Sequence, residues 1–230
     1  MNRLRAAADT APASTGNVTR ERIKQTASRL FANRGVDGVS VRDIVVASSQ
    51  KNGASLHYYF RSKEALVREL VADGAKRIDA RRNQMLDELE ARKRPPHLRE
   101  IIETLLWPST HIATDSDQPD TYIRFITSLR TNHRELFLEA LEHKWDSGYR
   151  RCIAHMRCLL ANLPTPLLNQ RLIFASLYLQ ATLSARESAL ERRGGELRLW
   201  MRPEVCENLV DSVLGLLTQA PSRKTLEKMP

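Results

Sequence analysis

Between Ser48 and Leu66 the chain reads SSQKNGASLHYYFRSKEAL, so Lys51, Asn52, Gly53 and Ser55 are followed at once by His57, Tyr58, Tyr59 and Lys63. Slim amides and hydroxyls can reach the edges of base pairs in a major groove, whereas phenol, imidazole and ammonium groups donate to phosphate. The first four residues are therefore expected near bases and the second four near the sugar-phosphate backbone. These residues are too few for a core and too crowded for an ordinary loop.

The charge distribution agrees with a phosphate-facing unit at one end. Residues 1–63 hold 11 Lys+Arg against 4 Asp+Glu, and residues 64–230 hold 25 against 23, so most of the net charge of +9 is local. A small basic unit joined to a larger, nearly neutral one fits a nucleic-acid module followed by a module with another task. The expected division is a leader at 1–17, the basic unit at 18–65, a larger unit at 66–220 and a tail at 221–230.

The elements that would position these residues are helical, since strand alternation is absent. Ile23, Ala27, Leu30 and Phe31 recur at i, i+4, i+7 and i+8 behind Thr19, an expected N-cap, and Gly35 supplies a stop. Ser40 and Asp43 have the capping-box spacing ahead of Val41, Ile44 and Val45. A third helix is expected from an Asn52 cap to about Tyr59, burying Ala54, Leu56 and Phe60 or a subset of them. Ser62 would then cap a long fourth helix. Two short helices across a tight turn, the second carrying polar groups near its start, form a helix-turn-helix.

The segments TRERIKQTASRLFANRGVDGVSVRDIV and GASLHYYFRSKEAL resemble the N-terminal DNA-binding domain of the TetR family of bacterial transcriptional regulators, over residues 19 to about 66. The pattern L-F-x-x-x-G, S-V-R-D-I and Y-F-x-S-K-E-A-L carries the resemblance. The stretch from Asp43 to Phe60 is one residue longer than the common family pattern, and the extra residue falls in the turn. The resemblance implies that Phe60 is core, that Tyr58, Tyr59 and Lys63 are phosphate or edge contacts, and that Arg42 reaches the backbone or the groove. His57 stands where the family more often has Tyr; it either contacts DNA or packs its ring on the first helix.

Beyond residue 66 the reading rests on periodicity. Leu66, Leu70, Val71, Ala75, Ile78, Met85, Leu86 and Leu89 keep a helical stripe as far as RKRPPH. Further helices are expected at 97–114, 121–130, 134–162, 167–193 and 204–218, which makes the body all-α. Leu177, Ala181, Ser184 and Ala185 lie on a segment rich in small residues, where another helix can approach closely, and Leu209, Val213, Leu216 and Leu217 form a stripe on the last helix. Both stripes are expected to pair with their copies in a homodimer, as the resemblance also implies; a monomeric core is the alternative. Trp107, His111, Tyr122, Phe125, Trp145, Tyr149, His155, Phe174 and Tyr178 could line a cavity for a small-molecule effector or simply fill a core.

Other chemistry finds little support. No G-x-S-x-G, H-E-x-x-H, P-loop or Rossmann fingerprint occurs, so no enzyme and no cofactor are expected. Cys152, Cys158 and Cys206 lack CxxC spacing, and Cys152, His155 and Cys158 lack a fourth ligand for zinc. No apolar run reaches the roughly 18 residues of a membrane span, and the start has no apolar signal-peptide core, so a cytoplasmic protein is expected. The expected partners are duplex DNA, an unidentified effector and a second copy. The competing readings are an architectural DNA-binding protein without effector and a helical adaptor.

Overall fold

The computed structural model describes residues 15–50, 54–110, 112, 120–142, 144–192 and 197–229, and every regular element among them is helical. The order is α1 (Thr15–Arg34), α2 (Val41–Ala47), α3 (Ala54–Phe60), α4 (Lys63–Glu90) and α5 (Leu98–Leu106), then a 3₁₀ turn at Trp107–Ser109. It continues with α6 (Tyr122–Asn132), α7 (Arg134–Leu141), α8 (Ser147–Leu159), α9 (Thr165–Arg192), α10 (Leu197–Trp200), α11 (Pro203–Thr218) and α12 (Arg223–Leu226).

The first three helices pack around one end of the hydrophobic core. Ile23, Ala27 and Phe31 of α1 meet Ile44 and Val45 of α2 and Leu56 and Phe60 of α3, all buried. Helix α1 starts at Thr15 rather than at the expected Thr19. Gly16 and Asn17 are weak helix formers, which hides that first turn from a propensity reading. At its other end Gly35 takes φ +70° and its N–H reaches Phe31 O at 2.9 Å, the left-handed stop that glycine adopts without steric cost. Asp43 N–H donates to Ser40 Oγ at 3.1 Å while Ser40 N–H donates to Asp43 Oδ2 at 2.8 Å, closing the expected capping box of α2. Ser62 Oγ accepts from Ala65 N–H at 3.1 Å and caps α4 as expected.

Helix α4 belongs to both halves of the molecule. Leu66 and Val67 extend that end of the core, and farther along its length α4 packs on α7 and α8. The two halves also meet through α1 and α6, where Phe31 and Phe125 stack with ring centroids 5.8 Å apart. Ser28 Oγ lies 3.0 Å from Thr121 Oγ1, and Arg29 and Asn33 both reach Glu191 of α9. Lys24 bridges from α1 to Glu69 and Asp73 of α4.

The body departs from the expected helices at two places. The expected helix 134–162 is two, broken at Glu142, which takes φ +44°. The break turns α8 so that Gly148 lies on α4: its N–H donates to Asp79 Oδ1 at 2.7 Å, and a Cβ there would come within 2.7 Å of Arg82 Cβ. The expected helix 97–114 ends at Leu106 and tightens into the 3₁₀ turn, because Pro108 has no N–H for an α-helical bond.

Helices α9 and α11 hold each other through polar as well as apolar contacts. Arg171 Nη1 donates to Leu217 O at 2.7 Å and its Nη2 reaches Gln219 O, so a buried guanidinium satisfies the carbonyl end of α11. Glu187 of α9 accepts from Ile123 and Arg124 N–H at 3.0 and 2.8 Å, capping α6 from a helix well downstream in the chain. Burial pushes the Glu187 carboxyl up to about 7, against the pull of the two N–H groups.

Candidate nucleic-acid interface and ligand cavity

The α2–α3 turn is closed from the α2 side by short-range bonds. Ser48 is buried and donates from Oγ to Ile44 O at 2.6 Å, Ser49 takes φ +57°, and Gln50 N–H reaches Val45 O at 2.9 Å. Lys51, Asn52 and Gly53 lie outside the described residues, as does the side chain of Ser55. The base-reading half of the expected interface therefore stays an expectation.

The backbone-facing half is described. Tyr58 is 81% exposed, with its ring 4.9 Å from that of Tyr59 in an edge-on arrangement. Tyr59 is half-buried and packs against the core, so it does not lie outside the core as expected; of the two phenols, Tyr58 is the one presented to solvent. Ala54 is exposed, leaving Leu56 and Phe60 as the buried subset of α3. His57 is exposed, and its Nδ1 lies 2.7 Å from the carbonyl of Arg61, which has φ +65°. That bond makes Nδ1 the donor and turns Nε2 outward.

Lys63 has a second task that sequence reasoning missed. Its Nζ donates to Val36 O and Val39 O at 3.1 Å each, strapping the α1–α2 loop to the start of α4. An ammonium has three donors, so one remains for a phosphate. Arg42, in the first turn of α2, is exposed.

A cavity of about 310 Å³ lies inside the body, at the low end of the usual range for small-molecule sites. Its walls come from α4 (Ala75, Ile78, Arg82), α6 (Tyr122, Ile123, Ile126, Arg130), α7 (Phe137, Leu141), α8 (Tyr149, Ile153, Met156) and α9 (Leu172, Ser176, Leu179, Gln180, Leu183), with Trp145 and Asp146 before α8. Of the expected lining residues, Tyr122, Trp145 and Tyr149 are there.

The other expected lining residues lie elsewhere. Phe125 is spent on the stack with Phe31, because α6 has one face to the cavity and another to α1. His155 pairs with Glu90 at 2.8 Å on the outside of α4 and α8. Trp107 starts the 3₁₀ turn and is not part of the wall. Phe174 and Tyr178 project from the outer face of α9. His111 lies outside the described residues.

Arg82 and Gly74 are the functional candidates the sequence reading passed over. Arg82 falls between Ile78 and Leu86 at i+4 spacing, so a charge interrupting an apolar stripe was the available signal. Gly74 gave none. Tyr122 occupies the space its side chain would take, since a Cβ would come within 2.1 Å of the phenol ring, and Tyr122 Oη donates to Val71 O at 2.8 Å. A residue of the cavity wall thus rests directly on the helix that leads back to α3.

The expected dimer residues divide in the same way. Leu177, Ala181 and Ala185 are exposed and Ser184 half-buried, and with Ile173, Phe174 and Tyr178 they make a continuous apolar face on α9. Leu209, Val213 and Leu217, by contrast, are buried in the chain's own core, because α11 turns its apolar stripe onto α5 and α9. Leu216 alone of that set is half-exposed. The exposed surface of α11 includes Asn208, Ser212 and Gly215, where a Cβ added at Gly215 would meet nothing, beside the acids Glu204, Glu207 and Asp211.

Three helices around one end of the core, the second and third joined by a turn and the third leading into a long connector, define a helix-turn-helix protein with a larger helical body. Residues 23–70 match the model of bacterial regulatory proteins of the tetR family. The HTH-type transcriptional repressor KstR2 of Mycolicibacterium smegmatis is 37% identical over 68 residues, which are 30% of this chain and 33% of that protein. The match thus spans about a third of the curated relative. Among solved structures, superantigen PfiT has a TM-score of 0.50 at 19% identity, covering 92% of this chain and all of that one, which makes the fold alike. The TetR family transcriptional regulator PfmR from Thermus thermophilus has a TM-score of 0.48 at 19% identity, covering 88% of this chain and 97% of its own. No described helix is long and apolar enough to cross a membrane.

Proposed function

We propose that the chain is a ligand-responsive, dimeric transcriptional repressor that binds an inverted-repeat operator in duplex DNA and is released by a small molecule. The observation that carries this reading is the seat of Tyr122 on Gly74 and Val71. It puts a wall of the cavity in van der Waals and hydrogen-bond contact with the connector whose N-terminus, at Ser62, follows the recognition helix. A ligand that binds one placement of α4 better than another shifts the population between them, and the shift reaches α3 without a separate transmission element. The repressor sense rests on the likeness of the N-terminal domain to KstR2.

In this reading Arg42, His57, Tyr58 and Lys63 hold phosphates, and Lys51, Asn52, Gly53 and Ser55 approach the bases. Tyr59 orients Tyr58. Dimerisation uses the exposed face of α9 around Leu177 and Ala181, with the small residues Ser212 and Gly215 of α11 letting the partner approach. A two-fold axis in the protein then demands an inverted repeat in the operator.

The test is selection of bound sequences from random duplex DNA, repeated with Ala181→Glu. The wild-type chain is expected to sediment as a dimer and to select inverted repeats, with half-sites about 34 to 36 Å apart or somewhat more. Ala181→Glu buries an unpaired carboxylate twice per dimer and is expected to give monomers that hold half-sites weakly. Selected sites without an inverted repeat, or a wild-type monomer at micromolar concentration, would overturn the dimeric reading.

A further inference from the structure

Arg82, in the cavity wall, feels the charge of Asp79 but makes no direct ion pair with a carboxylate among the described residues. Arg82 donates from Nη2 to Leu105 O at 3.0 Å and to Ser109 Oγ at 3.2 Å, neither of them an anion, and its buried Nε has no acceptor. Desolvation holds its pKa below the usual arginine value. Asp79, the carboxylate whose charge acts on Arg82, turns its oxygens to neutral donors instead: Gly148 N–H at 2.7 Å, Ser147 Oγ at 2.8 Å and Asn83 Nδ2 at 3.2 Å. Asp146, the acid that lines the cavity, lies 2.9 Å from Arg150 Nη2, and its Oδ1 is buried without a hydrogen-bond donor.

The surroundings sharpen the demand. Ile78, Ile126, Phe137, Ile153 and Leu179 make most of the remaining wall apolar, so water is a poor substitute for a counter-anion. Two more cations stand over rings that line the space: Lys76 Nζ lies 5.4 Å from the Trp145 centroid and Arg130 Cζ lies 5.5 Å from that of Phe137. Both are exposed and would attract an anion before it enters.

We propose that the cavity takes an organic monocarboxylate with a hydrocarbon or aromatic body, its carboxylate paired with Arg82 and its body against the apolar walls. This rests on the effector reading and names the class of ligand at that same site. A guanidinium offers parallel N–H donors that match a carboxylate, and the pair strengthens where water is excluded. Arg82 stands on α4, eight residues beyond Gly74, on the same connector that Tyr122 touches. A carboxylate drawing Arg82 away from Leu105 O and Ser109 Oγ would therefore act on the helix that positions α3.

The test titrates the full chain with short- to medium-chain and aromatic acids and with their uncharged amides, read by tryptophan fluorescence, to which Trp145 of the wall contributes with Trp107 and Trp200, and by release of the selected operator. At least one acid is expected to bind and release DNA at a concentration about tenfold or more below that of its amide, a difference of about 1.4 kcal/mol. Arg82→Met should erase that preference, bringing the acid and its amide to similar affinities. Should Arg82→Met fail to fold, the acid-to-amide ratio of the wild type decides alone. Equal binding of acids and amides, or release by neutral compounds only, overturns the carboxylate while leaving the effector reading intact. Failure of every compound to bind overturns the carboxylate proposal, and operator binding that no small molecule from a metabolite pool relieves overturns the effector reading as well.

Discussion

The helix-turn-helix unit and the body cavity use polar side chains in opposite ways. In the first, the capping groups find partners close by in sequence, Ser40 with Asp43 and Ser62 with Ala65 each three residues apart, and Lys63, reaching Val39 and Val36 across 24 and 27 residues, is the long-range exception. In the second, Arg82 meets Leu105 and Ser109 at separations of 23 and 27, Tyr122 meets Val71 at 51 and Asp79 meets Gly148 at 69. Local bonds leave the outer face of the first unit free for a large, charged partner. The long-range bonds of the body enclose a space and leave Arg82 in its wall with a buried Nε that has no acceptor. A surface for DNA can thus be written in a short motif, whereas a cavity needs several distant segments to arrive together.

The strongest challenge to this division lies where the two regions touch. Phe125→Ala removes the ring that stacks on Phe31 and is expected to cost about 3–5 kcal/mol, as for other buried Phe→Ala changes. Urea unfolding should show the loss, and a change much below about 1 kcal/mol would mean that α1 and α6 are not coupled through this stack. Next, Gly74→Ala puts a methyl group where the Tyr122 ring lies and is expected to cost about 1–3 kcal/mol through overpacking. It should also shift effector sensitivity, measured as ligand needed for half-release of operator. Unaltered stability and sensitivity would remove the Tyr122–Gly74 seat from the mechanism.

Smaller effects are expected in the locally built unit. Ser40→Ala breaks the α2 capping box and should cost about 1 kcal/mol, with no change in ligand affinity of the body. Thermal unfolding and ligand titration of the same variant separate the two. Tyr58→Phe should leave stability within about 0.5 kcal/mol, because the side chain is exposed, yet weaken operator binding by about 0.5–1.5 kcal/mol for one lost hydrogen bond. Unchanged binding by Tyr58→Phe would take its hydroxyl out of the interface.

The first four helices were legible for the reason that makes their bonds local. Capping serines, the Gly35 stop and the spacing of Ile23, Ala27 and Phe31 act within a turn or two, and the structure bears them out, with α1 longer at its start than propensity suggested. The body was legible as helices but not as a site. Periodicity marked Leu209, Val213 and Leu217 as an apolar stripe, and a stripe alone does not say whether it meets its own chain or another; α5 and α9 cover it. An aromatic residue is equally at home in a core, an interface or a cavity, which is why Phe125, Phe174 and Tyr178 went elsewhere while Tyr122, Trp145 and Tyr149 lined the space.

By itself the sequence determined the all-helical class, the helix-turn-helix order, the caps at Ser40 and Ser62 and the concentration of positive charge in the first 63 residues. These depend on propensity, short-range hydrogen bonds and composition, each of which is complete within a few residues of chain. Tertiary structure alone decided that Glu142 breaks a helix so that Gly148 can reach α4, that Lys63 straps Val36 and Val39, and that Arg82 ends in a cavity wall with a buried Nε that has no acceptor. Those outcomes depend on which helix face meets which neighbour, a choice made by packing between segments far apart in sequence, where no local signal reaches.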